Sequence, residues 1–265
     1  MIKEIKIFLT AFQIYTRIPV RKKVIPSQNE MNQSIRYFAL VGYFTAFLMT
    51  AVFIGANLFL NTVSSVILMV MASIFFTGAF HEDGLIDLFD GFGGGQSRDQ
   101  ILNIMKDSRI GSYGAIAVIL SFGLKVSLLY EIIVILKNKY NAKDLYFQLL
   151  LVFIVAQSLS RWMASTFTYS HSYAGEAKKS KHPFLSKKTK LFNLAPGFIF
   201  SLAPFYFFAN FIYLTLPLAL LFFWLYLSFL FKKKIGGYTG DCLGAAQQIF
   251  EIVIYIAFIV LWKFI

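Results

Sequence analysis

Seven long apolar runs, separated by short polar segments, dominate the chain. The runs are Tyr37–Leu60, Thr62–Phe80, Ile110–Leu136, Leu145–Phe167, Leu194–Leu214, Leu216–Phe231 and Ala245–Trp262. A helix needs about 20 mostly apolar residues to cross a bilayer, and none of these runs has the alternating pattern of a membrane β-barrel. The pattern predicts an all-α polytopic membrane protein with about seven transmembrane helices. Because only Thr215 separates the fifth and sixth runs, a tight hairpin or a partly re-entrant pair is the alternative there.

A shorter pattern precedes the first run. Within Ile5–Ile18, apolar side chains recur at near-helical spacing, at Ile5, Phe8, Leu9, Phe12 and Tyr15. Such a segment predicts an N-terminal amphipathic helix that lies in the membrane interface. A short first span and a packed helix are the alternatives.

The composition agrees with a protein whose solvent is lipid. The 265 residues are 58% hydrophobic and 14% charged, with a mean hydropathy of +0.66. Soluble domains carry about a quarter charged residues, so the long uncharged runs exclude an ordinary soluble core. The one cysteine, Cys242, excludes an internal disulfide and a cysteine-based zinc cluster. No linker or repeat is visible, and residues 1–265 are interpreted as a single membrane domain.

The chain has a net charge of +12, and its basic residues lie mostly in polar segments on one side of the predicted membrane. If the N-terminus is cytoplasmic, the polar segments 1–36, 81–109, 168–193 and 232–244 hold nineteen of the 25 Lys and Arg residues. This bias predicts a cytoplasmic N-terminus and a site that faces the cytoplasm. Because the positive charge is explained by orientation, no nucleic acid is expected as a partner. The lysines of 168–193 are interpreted as a topological signal that contacts lipid headgroups, with nucleotide capture as the alternative.

An acidic segment follows the second apolar run. Glu82, Asp83, Asp87 and Asp90 are four of only thirteen acidic residues in the chain. On a helix, the three aspartates at i, i+4 and i+7 project within an arc of roughly 60°. Carboxylates gathered in this way suit a hard cation such as Mg²⁺. A polar loop whose acids balance nearby lysines is the alternative, and His81 is either a further ligand or a hydrogen-bond partner of the site.

Glycines come directly after the acids. Gly93 and Gly94 belong to a cluster whose backbone N–H groups could cradle a phosphate. A flexible turn is the simpler explanation of any glycine cluster. The position next to the acids favours phosphate binding.

Two further polar segments precede predicted helices. In the first, Lys106 and Arg109 could bind phosphate, and Asp107 could join the site or orient Arg109. In the second, Thr239 or Asp241 could cap a helix whose N-terminus favours anions, and Asp241 could supply a metal ligand. The bland interpretation of the first segment is a helix start with an arginine on the cytoplasmic side.

One arginine lies within an apolar run. Arg161 follows Gln157, Ser158 and Ser160 in the fourth run. A charged side chain at that depth usually faces a polar cavity, so the sequence predicts a contact with substrate phosphate. Snorkelling of the side chain to the interface is the alternative.

These motifs resemble those of the cobalamin synthase family, also called adenosylcobinamide-GDP ribazoletransferase. The matching segments are Phe12–Pro19, His81–Gly91, Ile104–Gly114, the pair Ser160 and Arg161, and Gly236–Ala245. The resemblance covers nearly the whole chain. It departs at Tyr169–Tyr173, where a more basic run is expected before Gly175.

The resemblance implies an activity that composition does not show. Such an enzyme joins adenosylcobinamide-GDP to α-ribazole or its 5′-phosphate, releases GMP, requires Mg²⁺ and resides in the cytoplasmic (inner) membrane. On this hypothesis the metal ligands are Glu82, Asp83, Asp87, Asp90 and Asp241. The catalytic residues are Asp90, as the general base, with Asp87 and Asp107. The phosphate-binding residues are Lys106, Arg109, Arg161, Gly93, Gly94 and Thr239. Membrane lipid is a partner, and a homo-oligomer is left open.

Two other functions compete with this hypothesis. Asp87–Gly91 fits the Asp-x-x-Asp-Gly opening of CDP-alcohol phosphotransferases, but Gly94 and Gly95 stand where that family has Ala-Arg. A transporter would explain the apolar runs and Arg161. It would not explain acids and glycines gathered on one side of the membrane, because transport sites lie near the midplane.

Overall fold

The protein is a bundle of α-helices joined by short turns. The computed structural model describes residues 2–20, 25–175, 189–208 and 210–264. The α-helices are α1 (Ile2–Tyr15), α2 (Gln28–Gln33), α3 (Phe38–Asn57), α4 (Thr62–Thr77), α5 (Phe80–Gly94), α6 (Arg98–Ile104), α7 (Ser112–Lys139), α8 (Ala142–Ser165), α9 (Phe167–Ser170), α10 (Leu191–Leu202), α11 (Leu216–Ile235) and α12 (Gly240–Trp262). Short 3₁₀ segments lie at Ser34–Tyr37, Ala203–Phe207 and Phe211–Thr215. The predicted all-α class is confirmed.

The number of spanning helices is lower than the sequence predicts. Within the described residues, five helical segments are long and apolar enough to cross a membrane, or six if the bent pair α4–α5 counts as one span. The predicted count of about seven is therefore not confirmed. The difference arises at the fifth apolar run, where the helical segment Leu191–Phe207 is shorter than a span. The protein is nevertheless a multi-pass membrane protein.

The acidic segment forms a helix of its own. Gly78 and Ala79, with φ of 70° and 57°, adopt the left-handed conformation between α4 and α5. The two helices consequently meet at an angle of 89°. The side chain of Arg17 packs on Gly78, where a Cβ atom would overlap it. The acids thus keep their helical spacing, but on a helix that is sharply bent away from the second span, and residues 81–94 of the predicted polar segment 81–109 are helical.

The last helix lies at the centre of the bundle. Helix α12 packs against α5, α7, α8 and α11, and α8 packs against α3. The most apolar windows of α8 and α12 are 78% and 67% buried, whereas those of α7 and α11 are each 28% buried. Exposed apolar side chains on α11, such as Phe222 and Phe229, therefore form a surface suited to lipid.

The predicted N-terminal helix is present and packs on the bundle. Ile7, Ala11, Phe12 and Tyr15 of α1 are buried. The ring of Tyr15 lies 4.3 Å from that of Phe38, centroid to centroid. One side of α1 is thus part of the protein core, and its position in the membrane interface stays a prediction.

Candidate active site

Helix α5 is joined to the start of α7 by a buried carboxylate. Asp90 is 7% exposed, and its two oxygens accept hydrogen bonds from the backbone N–H groups of Gly111 and Gly114, each at 2.8 Å. A carboxylate at this position satisfies two N–H groups that have no acceptor within the helix. There is no room for a side chain at Gly114, because its Cβ would lie 2.8 Å from the carbonyl oxygen of Ile86. Asp90 therefore anchors the end of α5 to the N-terminus of α7.

A cavity of about 430 Å³ opens beside this anchor. Its lining comes from the end of α5, the end of α6, the α6–α7 turn and the first residues of α7. The lining residues are Asp90, Gly94, Ile104, Asp107, Arg109, Ile110, Gly111, Ser112 and Tyr113. Four of the predicted site residues, Asp90, Gly94, Asp107 and Arg109, therefore share one cavity.

An ion pair forms one wall of the cavity. Nη2 of Arg109 lies 2.6 Å from Oδ2 of Asp107, and Nε of Arg109 donates to both carboxylate oxygens at 3.1 Å. Hydrogen bonds from Arg109 lower the pKa of Asp107 to about 2. The carboxylate is therefore charged at neutral pH and pairs with the guanidinium, and its role in orienting Arg109 toward a substrate stays a prediction. Lys106 is exposed nearby but does not line the cavity.

A second close approach brings α12 to α5. A Cβ atom on Gly84 would lie 2.8 Å from the carbonyl oxygen of Asp241, so only glycine allows this packing. Thr239 caps α12, because its hydroxyl accepts the N–H of Cys242 at 3.3 Å. The predicted cap is thus confirmed for Thr239. Asp241 is placed beside the segment of α5 that carries Asp83 and Asp87.

The acids do not form a ready-made metal cage. Among the described residues, no group of three or more His, Cys, Asp or Glu side chains is arranged to hold a metal ion. Asp90 is engaged by backbone N–H groups, and Glu82 turns into the bundle. Mg²⁺ is commonly bound through one or two carboxylates together with substrate phosphates. Magnesium binding by Asp83, Asp87 or Asp241 therefore stays a prediction.

A buried ion pair lies in the bundle interior. Nζ of Lys125 on α7 is 3.2 Å from Oε2 of Glu251 on α12, and the side chains are 6% and 3% exposed. Glu251 also accepts hydrogen bonds from Gln157, Gln247 and Tyr255, at 2.8 to 3.0 Å. Full hydrogen bonding of this kind is what allows a charged pair to persist away from water. The ion pair and these hydrogen bonds together fasten α7 and α8 to the central helix.

The same network reaches the acidic helix through Gln248. Lys125 donates to Oε1 of Gln248 at 2.6 Å, and Nε2 of Gln248 donates to Oε1 of Glu82 at 3.0 Å. Oε2 of Glu82 is buried without a hydrogen-bond partner in the described part of the chain. Glu82 lines a cavity of about 40 Å³ together with Lys125 and Gln248. The structure thus places Glu82 in the interior network, away from the ligand position predicted for it.

The predicted phosphate ligand Arg161 is also an interior residue. Its side chain is 1% exposed, and Nη1 donates to the backbone and side-chain oxygens of Gln157. Nη2 lies 3.5 Å from the hydroxyl of Thr45. It lies outside the cavity lining that contains Arg109. His81, which is 2% exposed and stacks on Phe38, is likewise in the core.

Sequence reasoning missed two parts of this arrangement. The first is the ion pair of Lys125 and Glu251, whose signal was a charged residue inside each of two mostly apolar runs. The second is the ring of Tyr113, which lines the cavity and has no distinguishing pattern in a chain with 14 tyrosines. Half of the basic segment predicted at 168–193, residues 176–188, lies outside the described residues, and five of its six lysines fall there.

Comparisons with known proteins agree with the motifs. The family model described as cobalamin-5-phosphate synthase matches residues 7–259. A Shewanella sp. (strain W3-18-1) protein named adenosylcobinamide-GDP ribazoletransferase is 40% identical over 261 residues, which cover 97% of this chain and 95% of that protein. A Vibrio parahaemolyticus protein of the same name is 36% identical over 264 residues, covering 98% and 94%. No solved structure matches this chain. With its family model matched over nearly the whole length, the chain is a member of the cobalamin-5-phosphate synthase family of transferases.

Proposed function

We propose that this protein joins adenosylcobinamide-GDP to α-ribazole and releases GMP. The observation that carries the proposal is the 40% identity, over 97% of the chain, to a protein named for that transfer. The cavity at the junction of α5, α6 and α7 supports it, because a site for such substrates needs a charged wall and space for a nucleoside-sized ligand.

The reaction replaces a phosphoanhydride bond by a phosphodiester bond. A ribose hydroxyl of α-ribazole attacks the phosphorus that carries the cobinamide. A new oxygen–phosphorus bond forms, the bond to the bridging oxygen of the diphosphate breaks, and GMP leaves with the electron pair. The hydroxyl proton passes to a base. Catalysis of this kind depends mainly on positioning and on stabilising negative charge at the phosphoryl group.

The cavity supplies cationic and hydrogen-bonding groups for such a ligand. Arg109 is held by Asp107 and presents a guanidinium suited to phosphate oxygens. The N–H groups of Ser112 and Tyr113, in the first turn of α7, have no acceptor within the helix and point toward its N-terminal end. Lys106 is exposed and precedes Asp107 in the chain, so it adds positive charge to this surface.

Magnesium is part of the proposal. One or two of the acids Asp83 and Asp87 of α5 and Asp241 of α12 would hold it together with the diphosphate of the donor. Bound there, the ion would supply positive charge to the phosphoryl oxygens. Asp87 is the acid whose replacement tests this directly. Asp90 is fully engaged as an anchor, so its role as the general base stays a separate prediction.

The proposed cell location is the cytoplasmic membrane. The N-terminus and this site would face the cytoplasm, because nineteen of the 25 basic residues fall on the corresponding segments. Accessibility of an introduced cysteine at Asp99 to a membrane-impermeant thiol reagent, in cells and in inverted vesicles, checks the orientation. Labelling in intact cells would contradict it.

The direct test is GMP release by the purified protein in lipid. The substrates are adenosylcobinamide-GDP with α-ribazole or with α-ribazole 5′-phosphate, each with Mg²⁺ and with EDTA. We expect Mg²⁺-dependent release of GMP with a cobalamin product, and the ratio of kcat/KM values identifies the preferred acceptor. Asp87→Asn should lose this activity while Asp99→Asn, an exposed acid on α6, retains it.

Negative results are also informative. If the folded protein released no GMP, CDP-alcohol substrates would be the next to examine, because Asp87–Gly91 fits the opening of that motif. Ion-coupled uptake into vesicles without GMP release would identify a transporter. EDTA-resistant GMP release would remove magnesium from the proposal and leave the transfer intact.

A further inference from the structure

One partly exposed aromatic ring lines the cavity. Tyr113 is 54% exposed, although it lines the cavity near the buried anchor Asp90. Its ring lies on the backbone of Gly93, where a Cβ atom would be 2.6, 2.7 and 2.9 Å from Cγ, Cδ1 and Cδ2. Glycine is therefore needed at position 93 for room and not for a left-handed conformation, because the positive-φ glycines described are Gly78 and Gly236. The ring is covered by Gly93 on one side, and about half of the residue is exposed.

The surroundings of the ring favour a weakly polar base. Ile104 and Ile110 line the same cavity, and Ile110 is 65% exposed. The two carboxylates of the lining are already engaged, Asp90 by backbone N–H groups and Asp107 by Arg109. A guanine base is recognised through N–H donors that need such acceptors. The base of α-ribazole is a substituted benzimidazole, and this flat, mostly apolar ring system needs mainly a flat apolar surface.

We propose that Tyr113 is the platform on which the base of the acceptor nucleoside stacks, so that the cavity of about 430 Å³ is the α-ribazole site. This inference rests on the proposed function and names which of the two substrates the cavity takes. Stacking on a tyrosine face supplies affinity through dispersion and avoids hydrogen-bond readout. Arg109, in the same lining, offers a cation to the polar end of the nucleoside or its phosphate.

The first experiment measures binding of α-ribazole alone to the full-length protein in lipid nanodiscs, by equilibrium dialysis. Tyr113→Ala and Tyr113→Leu should each weaken binding by about 5- to 150-fold, the effect of losing one base-stacking contact. Tyr113→Phe keeps the ring and should keep the affinity. Leucine still covers Gly93, so a loss in that variant reflects the missing aromatic face rather than a packing defect.

The matched control is Tyr130→Ala. Tyr130 is 41% exposed on the same helix, but it lies about 25 Å farther along at 1.5 Å per residue. The Tyr130→Ala variant should bind α-ribazole with the affinity of the wild type. In the transfer assay, Tyr113→Leu should raise the KM for α-ribazole by the same factor and leave the KM for adenosylcobinamide-GDP unchanged.

The results separate this inference from the proposed function. Unchanged α-ribazole binding in Tyr113→Leu, with GMP release intact, overturns the platform and leaves the transferase activity standing. A rise only in the KM for adenosylcobinamide-GDP, or weaker binding of GMP alone, also overturns it and assigns the ring to guanine. Ring-dependent α-ribazole binding without any GMP release supports the platform and contradicts the proposed reaction.

Discussion

Replacing Asp90 by asparagine should unfold the junction between α5 and α7 before it alters any chemistry. The carboxylate accepts two backbone hydrogen bonds of 2.8 Å at a buried position. Asparagine keeps one acceptor and turns an NH₂ group toward the other N–H. A hydrogen bond to a charged group contributes about 1.5–3 kcal/mol, and a buried N–H left without an acceptor costs about 1–3 kcal/mol. We expect Asp90→Asn to lower the free energy of unfolding by about 2–4 kcal/mol.

The measurement is thermal unfolding in detergent, followed by activity of the fraction that remains folded. A loss of this size corresponds to a fall in the midpoint on the order of 5–15 °C. The matched control is Asp99→Asn on α6, whose side chain is 84% exposed and which should change stability by less than about 0.5 kcal/mol. Gly114→Ala should resemble Asp90→Asn, because its Cβ would lie 2.8 Å from a backbone oxygen of α5.

The reasoning would be refuted by an Asp90→Asn protein that melts like the wild type but releases no GMP. Such a protein would mean that the two hydrogen bonds contribute little to stability and that the carboxylate acts in catalysis. A destabilised protein whose folded fraction still turns over at the wild-type rate would confirm the anchor. It would also exclude Asp90 as the general base.

Three other changes test the rest of the structure. Lys125→Met should destabilise the protein by about 3–5 kcal/mol, because it leaves the carboxylate of Glu251 buried without its cation. Adding Glu251→Gln should restore most of the lost stability. No recovery in the double variant would contradict the pairing. Gly84→Ala should lower the free energy of unfolding by about 1–3 kcal/mol and reduce GMP release, because its Cβ would lie 2.8 Å from a backbone oxygen of α12. The control Gly123→Ala, whose Cβ would have nothing within 4 Å, should be neutral or stabilising. Equal GMP release by the two variants would mean that the spacing between α5 and α12 is unimportant. Arg109 holds the pKa of Asp107 at about 2, so the ion pair should persist at every pH above about 4 and be lost only as the pH falls toward 2. The acid limb of the pH–rate profile should therefore stay in place in Asp107→Asn. A shift of that limb would show that this carboxylate titrates during turnover.

The helical membrane class could be predicted from the sequence because it depends on local composition. A run of about 20 apolar residues must form its hydrogen bonds within itself when its solvent is lipid, whatever its neighbours are. For the same reason the N-terminal amphipathic helix and the cap at Thr239 were visible in the sequence, since both depend on residues within one helix. The motifs also identified the family, because they lie in a specific order along the chain.

The partners of the charged residues were decided by tertiary structure. Asp83, Asp87 and Asp90 share one helical face in sequence, yet Asp90 is engaged by α7. Nothing local predicts that contact, because it joins residues more than twenty positions apart. Glu82 and Arg161 face the interior network for the same reason, although the sequence placed both of them at the substrate.

The bend at Gly78 and Ala79 explains much of the difference. An ideal continuation of the second apolar run would have carried the acids away along the same axis. The turn of 89° instead lays α5 against α12 and α7. Spacing along one helix could establish which acids are neighbours on its surface. Only the packing of the helices decided which of those acids anchor the fold, which join the buried network and which remain for a substrate, because hydrogen bonds and close contacts between distant segments fix those roles.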